Sequence, residues 1–172
     1  MMARPAPVSR IALAGAALGL LAGCAREDES AMRARLDQWF ALGETVAFAT
    51  RGDCAAGVFV LQGDAIAAAM PVAGSVGGML RALNGRGRAL LDDPVQPPDA
   101  ALVEIANASR ATGQAMRRAA LEARDCMDDG ALAAVHAGLT APGAMLAYDG
   151  QSGTVMVIDR AAGRLIALMG AG

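Results

Sequence analysis

The sequence predicts an α+β fold: an antiparallel sheet, made of an N-terminal hairpin and a C-terminal three-strand meander, with helices between them packed on one face. Three observations predict it. β-Branched and aromatic runs stand at 45–50 and 57–62, and short apolar or alternating runs return at 144–148, 154–158 and 164–169. Between them, apolar residues recur at helical spacing. Strands at both ends with helices between them is the order of an α+β fold rather than of alternating βα units.

Composition narrows the functional classes. Apolar residues make up 55% of the 172-residue chain, but 42 of the residues are alanine, which buries little area. With one Trp, one Tyr and three Phe, the core must rest on Leu, Val, Met and Ile. All 15 basic residues are arginine, and the formal charge is −2. That balance argues against nucleic acid as a partner, because phosphate binding needs a basic surplus. One His and three Cys leave too few soft ligands for a zinc or iron–sulfur site, so no metal and no other cofactor is expected.

The chain begins with an address. Arg4 and Arg10 form a positive n-region, and Ile11 to Ala22 is an unbroken run of apolar and small residues. Twelve helical residues rise only about 18 Å, against about 30 Å of hydrocarbon, so the run fits an export signal better than a membrane span. Its end, Leu21-Ala22-Gly23-Cys24, resembles the lipobox of bacterial lipoproteins. The resemblance implies cleavage before Cys24, a diacylglyceryl group on its thiol and usually a third acyl chain on the new amino terminus. Two or more chains supply the anchoring that one cannot. Ala25 stands where an aspartate in that family tends to retain the protein at the inner membrane, so outer-membrane sorting, facing the periplasm, is favoured. The expected organisation is a cleaved signal peptide over 1–23, a tether over 24–30 and one globular domain over 31–172. From Cys24 onward the chain holds 13 arginines against 17 acids, a formal charge of −4. An acidic domain is repelled by anionic headgroups, which leaves the anchoring to acyl chains.

With Cys24 lipidated, Cys54 and Cys126 remain. An exported protein meets an oxidising compartment, where an even pair usually forms a disulfide. The alternatives are two separate buried thiols or a redox pair, and no Cys-x-x-Cys spacing supports the last.

Along the chain, Met32, Leu36, Trp39 and Phe40 mark one face of a helix running from Ser30 until Gly43 stops it. The runs 45–50 and 57–62 flank the turn cluster Arg51-Gly52-Asp53-Cys54, which predicts a hairpin. Asp64 is placed to cap a short helix, Ala65–Met70, that Pro71 ends. Val76, Met79, Leu80 and Leu83 predict a helix from Ser75 to Asn84, capped by Ser75. A loop, Asn84–Arg88, then carries Arg86 and Arg88, which with Arg81 form the densest basic cluster and a candidate anion site. The Pro-rich stretch 92–98 is a linker. Asp99 precedes a helix that breaks near 107–109, and a second follows over Ala111–Asp125 with an Arg118–Glu122 pair at i, i+4. Asp128 or Asp129 caps a third, reaching about Gly138. Asp/Gly turns separate the closing strands of a sheet of about five.

No catalytic constellation is visible. His136 is the single imidazole, and Ser75, Ser152 and Tyr148 are unpaired. Asp92-Asp93 and Asp128-Asp129 read as turn and cap residues. The stretches Leu36–Thr45 and Asp159–Leu165 are similar to parts of small uncharacterised lipoproteins of diderm bacteria, a likeness that carries no activity with it. The expected role is a non-enzymatic, lipid-anchored envelope module that binds an envelope protein. The alternatives are a carrier of a small anion and, less favoured, an envelope enzyme.

Overall fold

The computed structural model describes residues 27–170. The signal segment and Cys24 lie outside the described residues. The first helix, α1 (Glu29–Leu36), is followed by the long strands β1 (Phe40–Arg51) and β2 (Cys54–Ile66) and the two-residue β3 (Val72–Ala73). Helix α2 (Val76–Arg86) and strand β4 (Arg88–Leu91) come next. Then follow α3 (Pro98–Ala108), α4 (Arg110–Ala123), a 3₁₀ turn at Arg124–Cys126 and α5 (Asp129–Thr140). Strands β5 (Met145–Asp149), β6 (Thr154–Asp159) and β7 (Arg164–Met169) close the fold. Among the described residues no helix is long and apolar enough to cross a membrane.

The fold is α+β. All seven strands form one sheet in the order β1-β2-β7-β6-β5-β4-β3, antiparallel except for the β3–β4 pair. The hairpin and the meander join directly, through Ala55↔Met169 to Val60↔Arg164. The sheet is larger than the five strands expected, because β3 and β4 extend it beyond β5.

Both faces of the sheet are buried along β4 to β7 and the first half of β2, and the strands there sort their side chains by alternation. Val58, Leu146, Tyr148, Val155, Val157, Ile166 and Leu168 turn to one face, where α2 to α5 cover them with Val76, Met79, Ile105, Met116 and Ala131. The helices between hairpin and meander therefore share one face. Phe59, Leu90, Met145, Ala147, Met156, Ile158 and Leu165 turn to the other face, beneath Met32 and Leu36 of α1, Trp39, Phe40 and Met70.

Helix ends follow local chemistry. Asp28 caps α1 by accepting from Ala31 N at 2.8 Å, and Asp128 caps α5 through Ala131 N at 2.8 Å. Ser75 caps α2 as expected, accepting from Gly78 N at 3.3 Å. Gly87 ends α2 at φ +72°, a conformation that favours glycine. Pro97, not Asp99, is the N-cap residue of α3, with Pro98 in the first turn. A rigid φ suits that position and removes an N–H that would have no partner.

Four further expectations change. The first helix starts inside the expected tether and stops at Leu36; the turn after it places Trp39 and Phe40 at the head of β1. The apolar spacing persists because both segments cover the same sheet face. No helix forms over 65–70: β2 runs to Ile66, and Met70 plugs the second core. Arg88 belongs to a strand rather than a loop. Arg118 and Glu122 form no ion pair, and Glu122 Oε2 is buried without a partner.

Cys54 and Cys126 are joined by a disulfide, with Cα atoms 6.1 Å apart. It fastens the hairpin turn to the 3₁₀ turn after α4. Closing a loop with 72 positions between its ends stabilises by about 4 kcal/mol on the chain-entropy estimate. The variant with both cysteines changed to alanine should lose stability of that order in urea titration, and reductant should raise the intact mass of the wild type by the two hydrogens of one bridge. An unchanged mass would show that the thiols are free.

Candidate functional site

The predicted anion cluster does not assemble. Arg81 and Arg86 lie five residues apart on α2, about 140° around the helix from each other. The Arg81 guanidinium lies back along its own helix beside Gly77 and Gly78. Arg88 is engaged elsewhere. As the direct cross-strand partner of Asp149, it approaches that carboxylate at 3.8 Å and donates to Gln151 Oε1 at 2.9 Å. Its guanidinium carbon also sits 5.4 Å from the centre of the Trp39 ring, a cation–π contact on the face under α1.

Arg88 belongs to a polar network at one end of the sheet. Asp149 is only 2% exposed, and a buried carboxylate needs hydrogen bonds and a counter-charge. Ser152 Oγ donates to Asp149 Oδ2 at 2.6 Å and lies 2.8 Å from Thr154 Oγ1. Gly150 N donates to Gly87 O at 2.8 Å, so the end of α2 holds the β5–β6 turn in place. Sequence reasoning read Asp149 to Gly153 only as a turn. The buried acid within it becomes visible once β4 is recognised as the neighbour of β5.

On the helical side of the same turn lies a cleft of about 300 Å³. Its walls are Ala115, Arg118 and Ala119 of α4, Tyr148 of β5, the turn residues Gly150 to Gly153, and Gly170. Burial, followed by the Asp149 carboxylate, pushes the Tyr148 phenol above its ordinary pKa, while Arg118 pulls it down. The phenol is therefore a neutral hydrogen-bond donor at physiological pH.

A second surface feature lies between α3 and α4. A groove of about 290 Å³ is lined by Leu102, Val103, Ala106, Ala120 and Leu121, with Gly113 as its floor and Arg117 on its rim. Val103 and Leu121 are 63% and 54% exposed, far more than a folded core tolerates. The helices come this close because Gly113 has no side chain: a Cβ there would stand 2.4 Å from Ala106 Cα.

Of the residues considered for catalysis, Tyr148 and Ser152 both border the cleft at the β5–β6 turn, and the others lie apart from it. His136 is exposed on α5, and Ser75 is a helix cap. Asp92 pairs with Arg160, Asp93 accepts from Val95 N and Gln96 N, and Asp128 caps α5. Among the described residues no group of three or more His, Cys, Asp and Glu side chains is placed to hold a metal ion. No protein-family model matches the chain, and neither a curated protein nor a solved structure is significantly similar to it.

Replacing Arg88 with Met should leave the Asp149 carboxylate buried without its cation. The expected loss in urea unfolding is about 2 kcal/mol, below the range for a fully buried pair because the Arg88 side chain is 22% exposed. Adding Asp149→Asn should recover part of that loss. Equal midpoints for R88M and wild type would show that the pair contributes nothing.

Proposed function

We propose that this protein is a lipid-anchored cell-envelope domain, held by acyl chains on Cys24 and facing the periplasm, with Ala25 favouring the outer membrane. Its role is non-enzymatic: the α3–α4 groove docks an amphipathic helix of an envelope protein, a helix with an apolar stripe flanked by acidic residues. The observation that carries this reading is the exposed apolar groove itself, with Val103 and Leu121 standing free on its two sides. Apolar patches of this kind mark interaction surfaces.

Charge supports the choice of occupant. Arg110 and Arg117 lie seven residues apart on one side of α4, Arg124 follows at the same spacing at the start of the 3₁₀ turn, and Arg117 lines the groove. A basic stripe on a domain whose overall charge is negative selects an acidic partner and steers its approach. Position supports it as well. Helix α1 starts five residues after Cys24, a reach of about 17 Å at most, and packs on the sheet face opposite α3 and α4. An anchor at Cys24 thus holds the α1 side toward the membrane and leaves the groove turned to the periplasm.

Two experiments test the reading. Cys24→Ser should leave an unlipidated precursor that no longer fractionates with membranes as the wild type does; a variant that stays with the membrane fraction sinks the anchor. Photoreactive residues at Val103 and Leu121, introduced in the host, should crosslink one envelope protein, and Arg117→Glu should abolish both adducts. The same residue at Ala133, exposed on α5, should give none. Adducts equal at all three positions, or formed only with lipid or with a second copy of the chain, would overturn the docking reading.

A further inference from the structure

The cleft between α4 and the β5–β6 turn carries an inference separate from the docking groove. Two residues that carry hydrogen-bond donors line it, the exposed Arg118 and the buried Tyr148, and the Arg118 charge acts on the Tyr148 phenol. Among the described residues, neither takes part in a side-chain hydrogen bond or an ion pair. That contrasts with the neighbouring Asp149, whose oxygens are taken by Ser152 and faced by Arg88. Tyr148 is only 8% exposed, and its oxygen is not among the sealed, unpartnered polar atoms, so the phenol presents its head to the cleft. The remaining walls are Ala115, Ala119, the glycines of the turn and Gly170, together with Gln151 and Ser152, whose side chains are already bonded to Arg88 and Asp149.

We propose that this cleft is a binding site for a small monocarboxylic acid, whose carboxylate takes the Arg118 guanidinium and the Tyr148 hydroxyl while its short apolar body lies against Ala115 and Ala119. Guanidinium matches the planar, two-oxygen geometry of a carboxylate, and a phenol supplies a further donor. The local charge selects one negative charge rather than two. Arg118 is the only cation lining the cleft, whereas Asp149 and Glu122 lie just behind its walls, Glu122 against Ala119 and Gly170. A phosphate dianion meets that background with too little compensation. A volume of about 300 Å³ stands at the small end of ligand cavities and is ample for a short monocarboxylic acid.

Tyr148 is the only tyrosine in the chain, so it reports on its own site. The mature, acylated protein in detergent, labelled with ¹³C at the tyrosine ring carbon bearing oxygen, should show one resonance. Titration with sodium acetate and then butyrate should move it saturably, with butyrate the tighter of the two because Ala115 and Ala119 are apolar. Arg118→Gln should weaken both at least about tenfold while leaving the circular dichroism and melting curve unchanged. Arg117→Gln, one residue along on the side of the α3 groove, should bind like the wild type. The proposal is overturned by a resonance that never saturates, by equal titrations in R118Q and wild type, or by inorganic phosphate binding more tightly than acetate. The readout is independent of any protein partner, so it distinguishes failure here from failure of the docking reading.

Discussion

The alternation along β4, β5, β6 and β7 sends every second side chain to the helical layer and the others to the layer beneath α1, and both sets are buried. Strands buried on both faces need two cores, and this chain has five aromatic residues with which to fill them. Methionine takes up much of the volume: Met32, Met70, Met79, Met116, Met145 and Met156 are all fully buried. Its unbranched, flexible side chain fills irregular gaps that Leu or Phe would fit less well. Small residues do the complementary work by letting the layers approach. A Cβ at Gly138 would stand 3.0 Å from Val157 Cγ1, so α5 lies almost directly on β6. The alanine excess, read from composition as a poor core-former, is what permits such thin layers.

Burying both faces leaves the ends of the strands as the places where polarity enters. Asp149, Thr154 and Asp159 are the buried polar residues, and all three lie at turns of the meander. Each aspartate stabilises its own turn: Asp159 accepts from Ala162 N at 3.0 Å, and Asp149 is served by Ser152. Of the two, only Asp149 receives a cation: Arg88, across from it on β4, approaches at 3.8 Å, whereas Arg164, equally across from Asp159, forms no ion pair with it. The same Arg88 shields Trp39, whose indole nitrogen is buried without an acceptor. One strand of four residues thereby ties the first helix–strand junction to the β5–β6 hairpin.

Much of this was legible in the sequence where the signal is local. Ser75, Asp128 and the Asp/Gly turns act within a few residues, and the structure follows them closely. The meander was legible because a run of five or six apolar residues between such turns has little choice but to be a strand. The misses share another cause. Arg88-Ala-Leu-Leu is too short to show a period, and its identity as β4 comes from pairing with β5, about 60 residues away. Helical spacing through Trp39 and Phe40 reflected a shared sheet face rather than a continuous helix. The arginines 81, 86 and 88 are neighbours in sequence but point three different ways, whereas Arg118 and Tyr148, thirty positions apart, face one cleft. Density along the chain is a poor guide to a site when the chain reverses direction between the residues that count.

The groove and the cleft lie on opposite flanks of α4, and adjacent arginines serve them: Arg117 rims the first and Arg118 lines the second. Consecutive residues on a helix diverge by about 100°, so one helix presents both without either guanidinium competing for the other's ligand. Coupling between the two would require α4 to move, and both of its flanks resist this. Toward α3, the contact at Gly113 leaves no room for closer approach, and toward the sheet Gly170 packs against Ala119 and Glu122. Met116, Ala119 and Ala123 seal the underside. Close packing of this kind deforms in discrete steps or not at all. On the two proposals above, the surfaces are independent sites on one rigid support, and occupation of one is expected to leave the affinity of the other unchanged.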